Sequence, residues 1–345
     1  MTTTYSFWTL FRNCRMACYW RYIRELVPVD RDRRLAFGSV IHKCLQIWHG
    51  TRKLESVSDF IDRTYIGRAQ EEDQKRAWHL ATALMKAYAA QYSMEDFEVV
   101  ALERKFEGKI ANPKTGKSSR SLDIAGKIDG IVKVGPEFFL LEHKTASQID
   151  SGYLEKLWTD FQVVLYSFYA EKALGIHISG VLYNVLVKAR LQQGRGETEA
   201  EFEARRAELI LKSKTGKSNA KRQLPETDEE FQERLAKKYA EPEMFHRETL
   251  YISRDSFETL QADLWELTRA FLGARRRGVF YSNTSFCFHY GRPCPYFPLC
   301  RSNGNPNLIE NLYVSVPPNE ELREDAPFNE GSPFYEVDPF VKTIK

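Results

Sequence analysis

Cysteine placement is the feature that most constrains how this chain folds. Of its six cysteines, three lie within the first 44 residues, three lie between residues 287 and 300, and none lies in between. Disulfide frameworks belong to small secreted chains, whereas this chain has 345 residues and begins without the basic and apolar stretches of a secretion signal. The pattern therefore predicts a metal ion or cluster that joins the two ends of the chain.

The composition is typical of a globular protein. Apolar residues make up 43% and charged residues 28%, so a sizeable core can be buried. No run approaches the roughly 18 apolar residues of a membrane helix. The net charge of +3 permits a nucleic-acid partner without requiring one. We expect a cytoplasmic protein that does not bind membranes.

The hydrophobic period changes along the chain between that of helices and that of strands. Helices are predicted over 5–26, with Ser6 as N-cap, and over 35–48, 57–94, 153–174 and 256–271. Strands are predicted over 99–106, 122–132, 138–144, 178–187 and 249–252, with a Gly135-Pro136 hairpin turn between the second and third. This order predicts an α/β fold in which helices flank a mixed β-sheet.

Changes in composition predict five successive regions. They are N-terminal helices (1–50), a core (51–187), a charged insertion (188–245), a C-terminal helix with the cysteine segment (246–303) and a proline-rich, loosely packed tail (304–345). The insertion is interpreted as a solvated surface, partly helical or partly disordered, and a nucleic-acid-binding arm is the alternative.

Three residues of the predicted hairpin carry the first candidate chemistry. Glu142 and Lys144 are two apart on one strand and share a face, while His143 points away. The neighbouring strand brings Asp129 beside them. Two carboxylates from adjacent strands suit Mg²⁺ or Mn²⁺, and a nearby lysine can help to deprotonate or orient an attacking water and offset phosphate charge. The alternative is an exposed strand face with a cross-strand ion pair.

Two predicted helices add further polar groups. Gly38 and His42 lie four residues apart on one helix face, where an imidazole can complete a divalent-metal site. Gln162 and Tyr166 have the same spacing on an otherwise apolar helix and can contact a phosphate or a leaving strand. The alternatives are a satisfied core histidine and ordinary helix polarity.

Taken in order, four short motifs resemble the RecB-like branch of the PD-(D/E)XK nuclease superfamily. The resemblance covers residues 6–187 and resumes at 287–300. Ile128 stands where a proline usually precedes the first acidic residue. The motifs are Gly38–His42, Gly126–Asp129, Glu142–Lys144 and Gln162–Tyr166.

The resemblance implies a fold, a reaction and a set of residues. The fold is a restriction-endonuclease-like mixed sheet, and the function is a metal-dependent DNA nuclease that uses Mg²⁺ or Mn²⁺. Single-stranded DNA ends are the favoured substrate, so we expect an exonuclease of recombination, repair or phage DNA processing in a bacterial or phage-infected cell. The implied metal ligands are His42, Asp129 and Glu142, and the implied catalytic residues are Asp129, Glu142, Lys144, Gln162 and Tyr166.

The cysteines extend the resemblance to nucleases with an iron–sulfur cluster. CRISPR-associated adaptation exonucleases and the AddB nuclease domain place one cysteine before the nuclease core and three after it. Thiolates hold both [4Fe–4S] clusters and structural zinc. The resemblance implies a [4Fe–4S] cluster, with Zn²⁺ as the alternative, bound by Cys14, Cys287, Cys294 and Cys300.

Spacing leaves one ligand open. The related nucleases commonly show Cys-x2-Cys-x5-Cys, whereas six residues separate Cys287 from Cys294 here. Cys18 and His289 are therefore alternative ligands. Cys44 is expected to be a buried core thiol.

The remaining expectations concern partners. Lys114–Ser118 and Lys214–Ser218 resemble the end of a phosphate-binding loop but lack its earlier glycine, so ATP binding is not expected and a helicase or recombination protein would be a separate partner. A catalytically silent DNA-binding or assembly subunit with a structural Fe–S or Zn site is the competing interpretation. Residues of the first helix are expected to guide a single strand by charge and stacking: Arg12, Arg15, Tyr19, Trp20, Arg21 and Arg24.

Overall fold

The computed structural model describes residues 1–29, 33–65, 71–289, 292–319 and 322, with the backbone alone at 33–36 and 289. In this part of the chain, six strands form one mixed sheet, and two pairs, β2 with β10 and β8 with β9, lie apart from it. The strands are β1 (Thr2–Thr3), β2 (Leu26–Pro28), β3 (Glu98–Ala111), β4 (Ser118–Val134), β5 (Glu137–Ala146), β6 (Ile178–Val187), β7 (Phe245–Tyr251), β8 (Phe288–His289), β9 (Arg292–Pro293) and β10 (Tyr313–Ser315).

The two edges of β4 are used differently. β3 pairs antiparallel along one edge. On the other edge, β1 pairs in parallel at Asp123 and Ile124, while β5 pairs antiparallel only from Gly130 onward. Between these two partners, a stretch of β4 that ends at Asp129 faces no strand among the described residues. The sheet therefore opens at Asp129, while β5 continues past the opening in parallel with β6.

Helices cover both faces of this sheet. Those in the described residues are α1 (Tyr5–Asn13), α2 (Arg15–Cys18), α3 (Arg33–Thr51), α4 (Leu54–Tyr65), α5 (Glu72–Gln91), α6 (Ser151–Leu157), α7 (Phe161–Leu174), α8 (Glu199–Lys212), α9 (Asp228–Tyr239), α10 (Asp255–Arg277), α11 (Phe297–Arg301) and α12 (Pro306–Leu312). None of the described helices has the length and apolarity needed to cross a membrane.

Side-chain alternation along β6 builds a core on each face. Tyr183 packs with α1, α7 and α10 in the cluster that includes Trp8 and Phe271. Leu186 packs on the other face with α3, α4, α5 and α9, around residues such as Leu84. A strand that is buried on both faces lies in the middle of the sheet. The predicted α/β architecture, a mixed sheet flanked by helices, is confirmed.

The two ends of the described chain pack against each other. β2 pairs antiparallel with β10, and the Tyr296 hydroxyl donates to the Leu26 carbonyl oxygen at 2.9 Å. Cys14, Trp20 and Leu299 belong to one small buried cluster at this junction. Backbone pairing and apolar contacts therefore contribute to the meeting of the ends that the cysteine placement predicted.

The predicted first helix begins at Tyr5, as expected, but it is broken and has a different N-cap. Its N-cap is Thr4, whose side chain accepts a first-turn N–H, and not Ser6. The break falls at Cys14, whose backbone is extended. Asn283 of the C-terminal segment donates its side-chain N–H to the Asn13 carbonyl oxygen at 2.8 Å, at the point where α1 ends. Asn283 is 270 residues away in sequence, so the local hydrophobic period cannot show that it binds a backbone group of α1.

Two other predicted helices are interrupted. The helix predicted over 153–174 is divided into α6 and α7 because the Asp160 carboxylate accepts the Gln162 backbone N–H at 2.9 Å and caps α7. The helix predicted over 57–94 contains α4 and α5, and residues 66–70 between them lie outside the described part.

The insertion and the tail are more regular than composition suggests. Both α8 and α9 begin with a capping box, but α8 buries no side chain, whereas α9 buries residues such as Phe231 in the core beside α5. The start of the tail forms α12 and β10, and β10 pairs with β2, but α12 buries no side chain, so the expected loose packing of the tail stays a prediction. Tail residues 320, 321 and 323–345 lie outside the described part.

Candidate active site

The opening of the sheet places Asp129 beside α3. Asp129 Oδ2 lies 3.3 Å from His42 Nδ1 and accepts a hydrogen bond from the His143 backbone N–H at 2.8 Å. The carboxylate thereby binds a β5 amide just past the point where the β4–β5 ladder has ended. Asp129 therefore connects three elements, β4, β5 and α3, at the opening.

Lys144 connects the second carboxylate to α7. Its Nζ donates to Glu142 Oε1 at 2.7 Å and to Gln162 Oε1 at 2.9 Å, and lies 3.5 Å from Asp160 Oδ2. Glu142 is only 5% exposed, so the Lys144 charge is what balances its carboxylate. The shared strand face predicted for Glu142 and Lys144 is present as a direct ion pair.

Burial and charge together set the protonation of the Asp129 and His42 pair. Burial raises the pKa of Asp129, but the charge and hydrogen bond of His42 outweigh it and hold that pKa below its usual value. Burial lowers the pKa of His42, but the Asp129 carboxylate outweighs it and holds that pKa above its usual value. The two side chains therefore form a carboxylate–imidazolium pair.

Burial and charge also set the pKa values of Glu142 and Lys144, but here burial prevails for the carboxylate. Burial raises the pKa of Glu142 to about 7, because the opposing charge of Lys144 offsets only part of the desolvation. Burial lowers the pKa of Lys144, but Glu142 and Asp160 outweigh it and hold that pKa above its usual value. Lys144 therefore stays protonated near neutral pH, where it acts as a donor and a positive charge.

Two motif glycines allow close packing around these side chains. A Cβ at position 38 would lie 3.0 Å from Thr145 Oγ1, so the absence of a side chain lets α3 approach β5. A Cβ at position 126 would lie 2.5 Å from Phe106 Cζ and 3.1 Å from Tyr166 Cε1. Both glycines bring a helix close to the sheet at the opening.

The last motif residue lies behind Gln162. Tyr166 is one helical turn further along α7 and is 9% exposed. Its ring centroid is 5.1 Å from that of Phe106 and 6.3 Å from that of Tyr5. Tyr166 therefore packs α7 against β3 and α1, next to the contact between Gln162 and Lys144.

Two acidic residues that sequence analysis did not select belong to this site. Glu103 lies on β3, between residues that pair with Gly130 and Ile128, and so stands opposite Asp129. It pairs with Lys127, and burial raises its pKa. Its backbone has a φ of 49°, an unusual value for a residue other than glycine, which marks a strained position. Glu103 lies opposite Asp129 because of the register between β3 and β4, which hydrophobic periodicity does not predict.

Asp160 is the other residue that was missed. Besides capping α7, its carboxylate lies near Lys144 and accepts hydrogen bonds of 3.4 Å from the hydroxyls of Tyr5 and Tyr183. An aspartate directly before an apolar helical run is a recognisable N-cap signal. Its contact with Lys144, however, depends on how α7 packs against β5.

The side chains at the opening are not arranged as a finished metal site. Among the described residues, no group of three or more His, Cys, Asp or Glu side chains has the arrangement of one. The donor chemistry of His42, Asp129 and Glu142 nevertheless suits a hard divalent cation, since two carboxylates and an imidazole converge there. Their ligand atoms are engaged by internal pairs: Asp129 with His42, and Glu142 with Lys144.

Most of the basic and aromatic residues expected to guide a strand pack within the protein. Trp20 is 7% exposed in the cluster at the chain ends, so the expectation that it stacks on bases is wrong. Arg21 donates to the Val316 carbonyl oxygen at 3.2 Å, and the Arg15 guanidinium lies over the ring of Tyr281. These contacts stabilise the junction of the two chain ends.

Four cysteines lie close together at that junction. The Asn283 backbone N–H donates to Cys14 Sγ at 3.4 Å, and the Cys294 N–H donates to the Cys287 carbonyl oxygen at 2.7 Å. Burial raises the pKa of Cys294, and the thiols of Cys14, Cys300 and Cys287 raise it further. Thiols this close oppose one another's ionisation, which a bound cation would relieve. All six cysteines are free thiols.

The other cysteines lie elsewhere. Cys18 is fully buried in the main core, and burial raises its pKa. Cys44 is fully buried on the opposite face of the sheet, which confirms the prediction of a core thiol. The side chain of His289 lies outside the described part of the chain. The described geometry therefore favours Cys14 over Cys18 as a partner of the C-terminal cysteines.

The mixed sheet flanked by helices is consistent with a restriction-endonuclease-like fold. A sequence model of the PD-(D/E)XK nuclease superfamily matches residues 2–301, and the chain belongs to this superfamily. Nucleases of the superfamily bind DNA and generally use Mg²⁺ or Mn²⁺. No curated protein matches the chain.

Proposed function

We propose that this protein is a metal-dependent deoxyribonuclease of the RecB-like branch that degrades single-stranded DNA from its ends. The observation that carries the catalytic part is the meeting of two carboxylate–cation pairs, Asp129 with His42 and Glu142 with Lys144, where β4 and β5 separate. The preference for single-stranded ends is what the resemblance of the four motifs to the RecB-like branch implies.

The proposed metal ligands are His42, Asp129 and Glu142. When bound, Mg²⁺ or Mn²⁺ supplies a polarised phosphoryl oxygen and a water of lowered pKa. His42 and Lys144 engage one oxygen of each carboxylate, Asp129 Oδ2 and Glu142 Oε1, so a bound metal would share the carboxylates with these two cations or displace them. Metal occupancy and the state of these two pairs are therefore coupled.

Lys144 is proposed to orient the attacking water and offset phosphate charge. Glu142 and Asp160 hold the pKa of Lys144 above its usual value, so the ammonium is a hydrogen-bond donor and a positive charge beside the carboxylate. The Gln162 carbonyl holds Nζ at 2.9 Å, so Gln162 is proposed to aim the ammonium. Tyr166 is proposed to assist by holding α7, and with it Gln162, against the sheet.

Digestion of end-labelled single-stranded DNA with Mn²⁺ tests the reaction. Glu142→Gln should abolish cleavage, because it removes a metal-ligand charge and the partner of Lys144. Glu137→Gln, an acidic-to-amide change at the start of the same strand, should cleave like the wild type. Loss of cleavage in both variants, or in neither, would refute the assignment.

The same digestion distinguishes the competing function. A catalytically silent DNA-binding subunit would retain the labelled strand in a binding assay but cleave it with neither Mg²⁺ nor Mn²⁺. Release of mononucleotides from one end would support an exonuclease, whereas internal fragments would support an endonuclease.

We further propose a [4Fe–4S] cluster at Cys14, Cys287, Cys294 and Cys300. Four free thiols at the junction of the chain ends support it, with Cys14, Cys294 and Cys300 in one apolar cluster. Anaerobically purified protein should be brown, and Cys294→Ala should lose the colour and unfold at a lower temperature, since a ligand that binds only the folded state stabilises it. Cys44→Ala should keep the colour. A colourless protein that contains zinc would assign the site to Zn²⁺, and one that contains neither metal would refute the site.

A further inference from the structure

A cavity of about 410 Å³ lies beside Lys144, between α1, the end of α6 and the start of α7. This volume is within the range of pockets that enclose small organic ligands. Asp160, Lys144, Tyr153 and Phe161 are among the residues that line it. The walls that α1 and α6 form contain no residue of the four sequence motifs.

Two cations border the cavity without a carboxylate partner. Arg12 of α1 and Lys156 of α6 both line it and are exposed. Among the described residues, neither forms an ion pair, and the Arg12 guanidinium lies 5.0 Å from the centre of the Phe161 ring. The one carboxylate of the lining, Asp160, lies near Lys144. The cavity therefore carries an excess of positive charge.

An exposed tryptophan lies at the break between α6 and α7. Trp158 is 63% exposed, and its neighbours on each side, Leu157 and Thr159, both line the cavity. The break is produced by the Asp160 cap, so the same residue that lies near Lys144 also holds Trp158 in a turn. Trp158 does not itself line the cavity, but its exposed indole lies two residues along the chain from Lys156, and an indole left open to solvent is a surface on which nucleobases stack.

We propose that this cavity binds a nucleotide of a single DNA strand next to the scissile phosphate. Arg12 and Lys156 contact the phosphates that flank the nucleotide, and Trp158 stacks on its base. Paired bases within a duplex have both faces covered, so the stacking selects an unpaired base. This inference rests on the proposed nuclease function, and it assigns the single-strand preference to residues outside the catalytic motifs.

Binding of a short fluorescein-labelled oligothymidylate to Glu142→Gln protein tests the subsite without cleavage. In that background, Trp158→Ala should raise the Kd about 5- to 150-fold, the range for one lost base stack. Trp158→Phe should restore most of the affinity. Arg12→Ala and Lys156→Ala should each reduce the slope of log Kd against log salt by about 0.7, as expected for one phosphate contact on a single strand.

Lys237→Ala, at an exposed position on α9, is the matched control and should change neither Kd nor slope. The subsite is overturned if Trp158→Ala and Arg12→Ala bind as tightly as the parent, or if Trp158→Ala weakens a blunt duplex equally. Failure of the subsite and failure of the nuclease are distinguishable. If only the subsite is wrong, the wild type still cleaves and Glu142→Gln does not; if the nuclease is wrong, the wild type does not cleave, or Glu142→Gln cleaves equally well.

Discussion

Gly126→Ala tests how closely α7 and β3 pack over the motif that ends in Asp129. A Cβ at position 126 would lie 2.5 Å from Phe106 Cζ and 2.8 Å from Phe106 Cε1, which are distances that no real contact adopts. The ring has little room to move, since Phe106 is 3% exposed and its centroid lies 5.1 Å from that of Tyr166 and 6.0 Å from that of Tyr169. Overpacking of this kind destabilises a core by about 1–3 kcal/mol.

The loss is measurable by thermal and urea unfolding. At roughly 2.1 cal/mol/K of unfolding entropy per residue, 1–3 kcal/mol lowers the Tm of a chain of this length by about 1–4 °C. Gly152→Ala is the matched control, because its Cβ would meet only Asp150 Oδ1 at 3.6 Å in the first turn of α6. That change should leave the Tm unchanged or raise it, since alanine favours a helix over glycine by roughly 1 kcal/mol.

A double-mutant cycle shows whether the ring is the cause. Phe106→Ala removes the atoms that collide, so adding Gly126→Ala to it should carry no further penalty. The coupling energy should be about 1–3 kcal/mol in favour of the double variant. The reasoning is refuted if Gly126→Ala unfolds like the wild type, or if it carries the same penalty with and without the Phe106 ring.

Three further predictions concern stability. Burial lowers the pKa of His49 to about 3, so on acidification the unfolded state binds a proton at this histidine before the folded state does. The free energy of unfolding should therefore fall as the pH drops from 6.5 towards 3. Urea unfolding at each pH should show a shallower fall for His49→Gln. Arg247→Met leaves the buried Glu95 carboxylate without its main partner, so the free energy of unfolding should fall by about 3 kcal/mol. Adding Glu95→Gln removes the unpaired charge and should restore much of the lost stability. Gly180→Ala should be more damaging than Gly126→Ala, because its Cβ would lie 2.1 Å from a carbonyl oxygen of β7; hydrogen exchange should show early opening of β7.

Strand prediction was most successful where alternation alone decides the outcome. β6 spans 178–187 as predicted, and the two-residue spacing of Glu142 and Lys144 produces a contact of 2.7 Å. Both results depend only on the geometry of an extended backbone, in which every second side chain shares a face. No distant part of the chain is needed to obtain them.

Helix prediction was least accurate where a distant residue competes for a backbone group. The helical period runs through Cys14 without interruption, yet the backbone is extended there. The side chain of Asn283 donates a hydrogen bond to the Asn13 carbonyl oxygen at the end of α1. At Asp160 the competing group is local, and its N-cap signal was present in the sequence. The difference lies in sequence separation, because only the nearby competitor is visible to a local pattern.

By itself, the sequence determined the order of the main helices and strands around the site, the four motifs and the expectation that the two chain ends meet. The tertiary structure alone decided that β4 and β5 separate at Asp129, that Glu103 stands opposite it, and that Asp160 approaches Lys144. Alternation selects the face on which a side chain lies, but strand register and helix packing select its neighbours across the sheet. Those neighbours set the charges at the opening, and they are supplied by parts of the chain that local patterns do not connect.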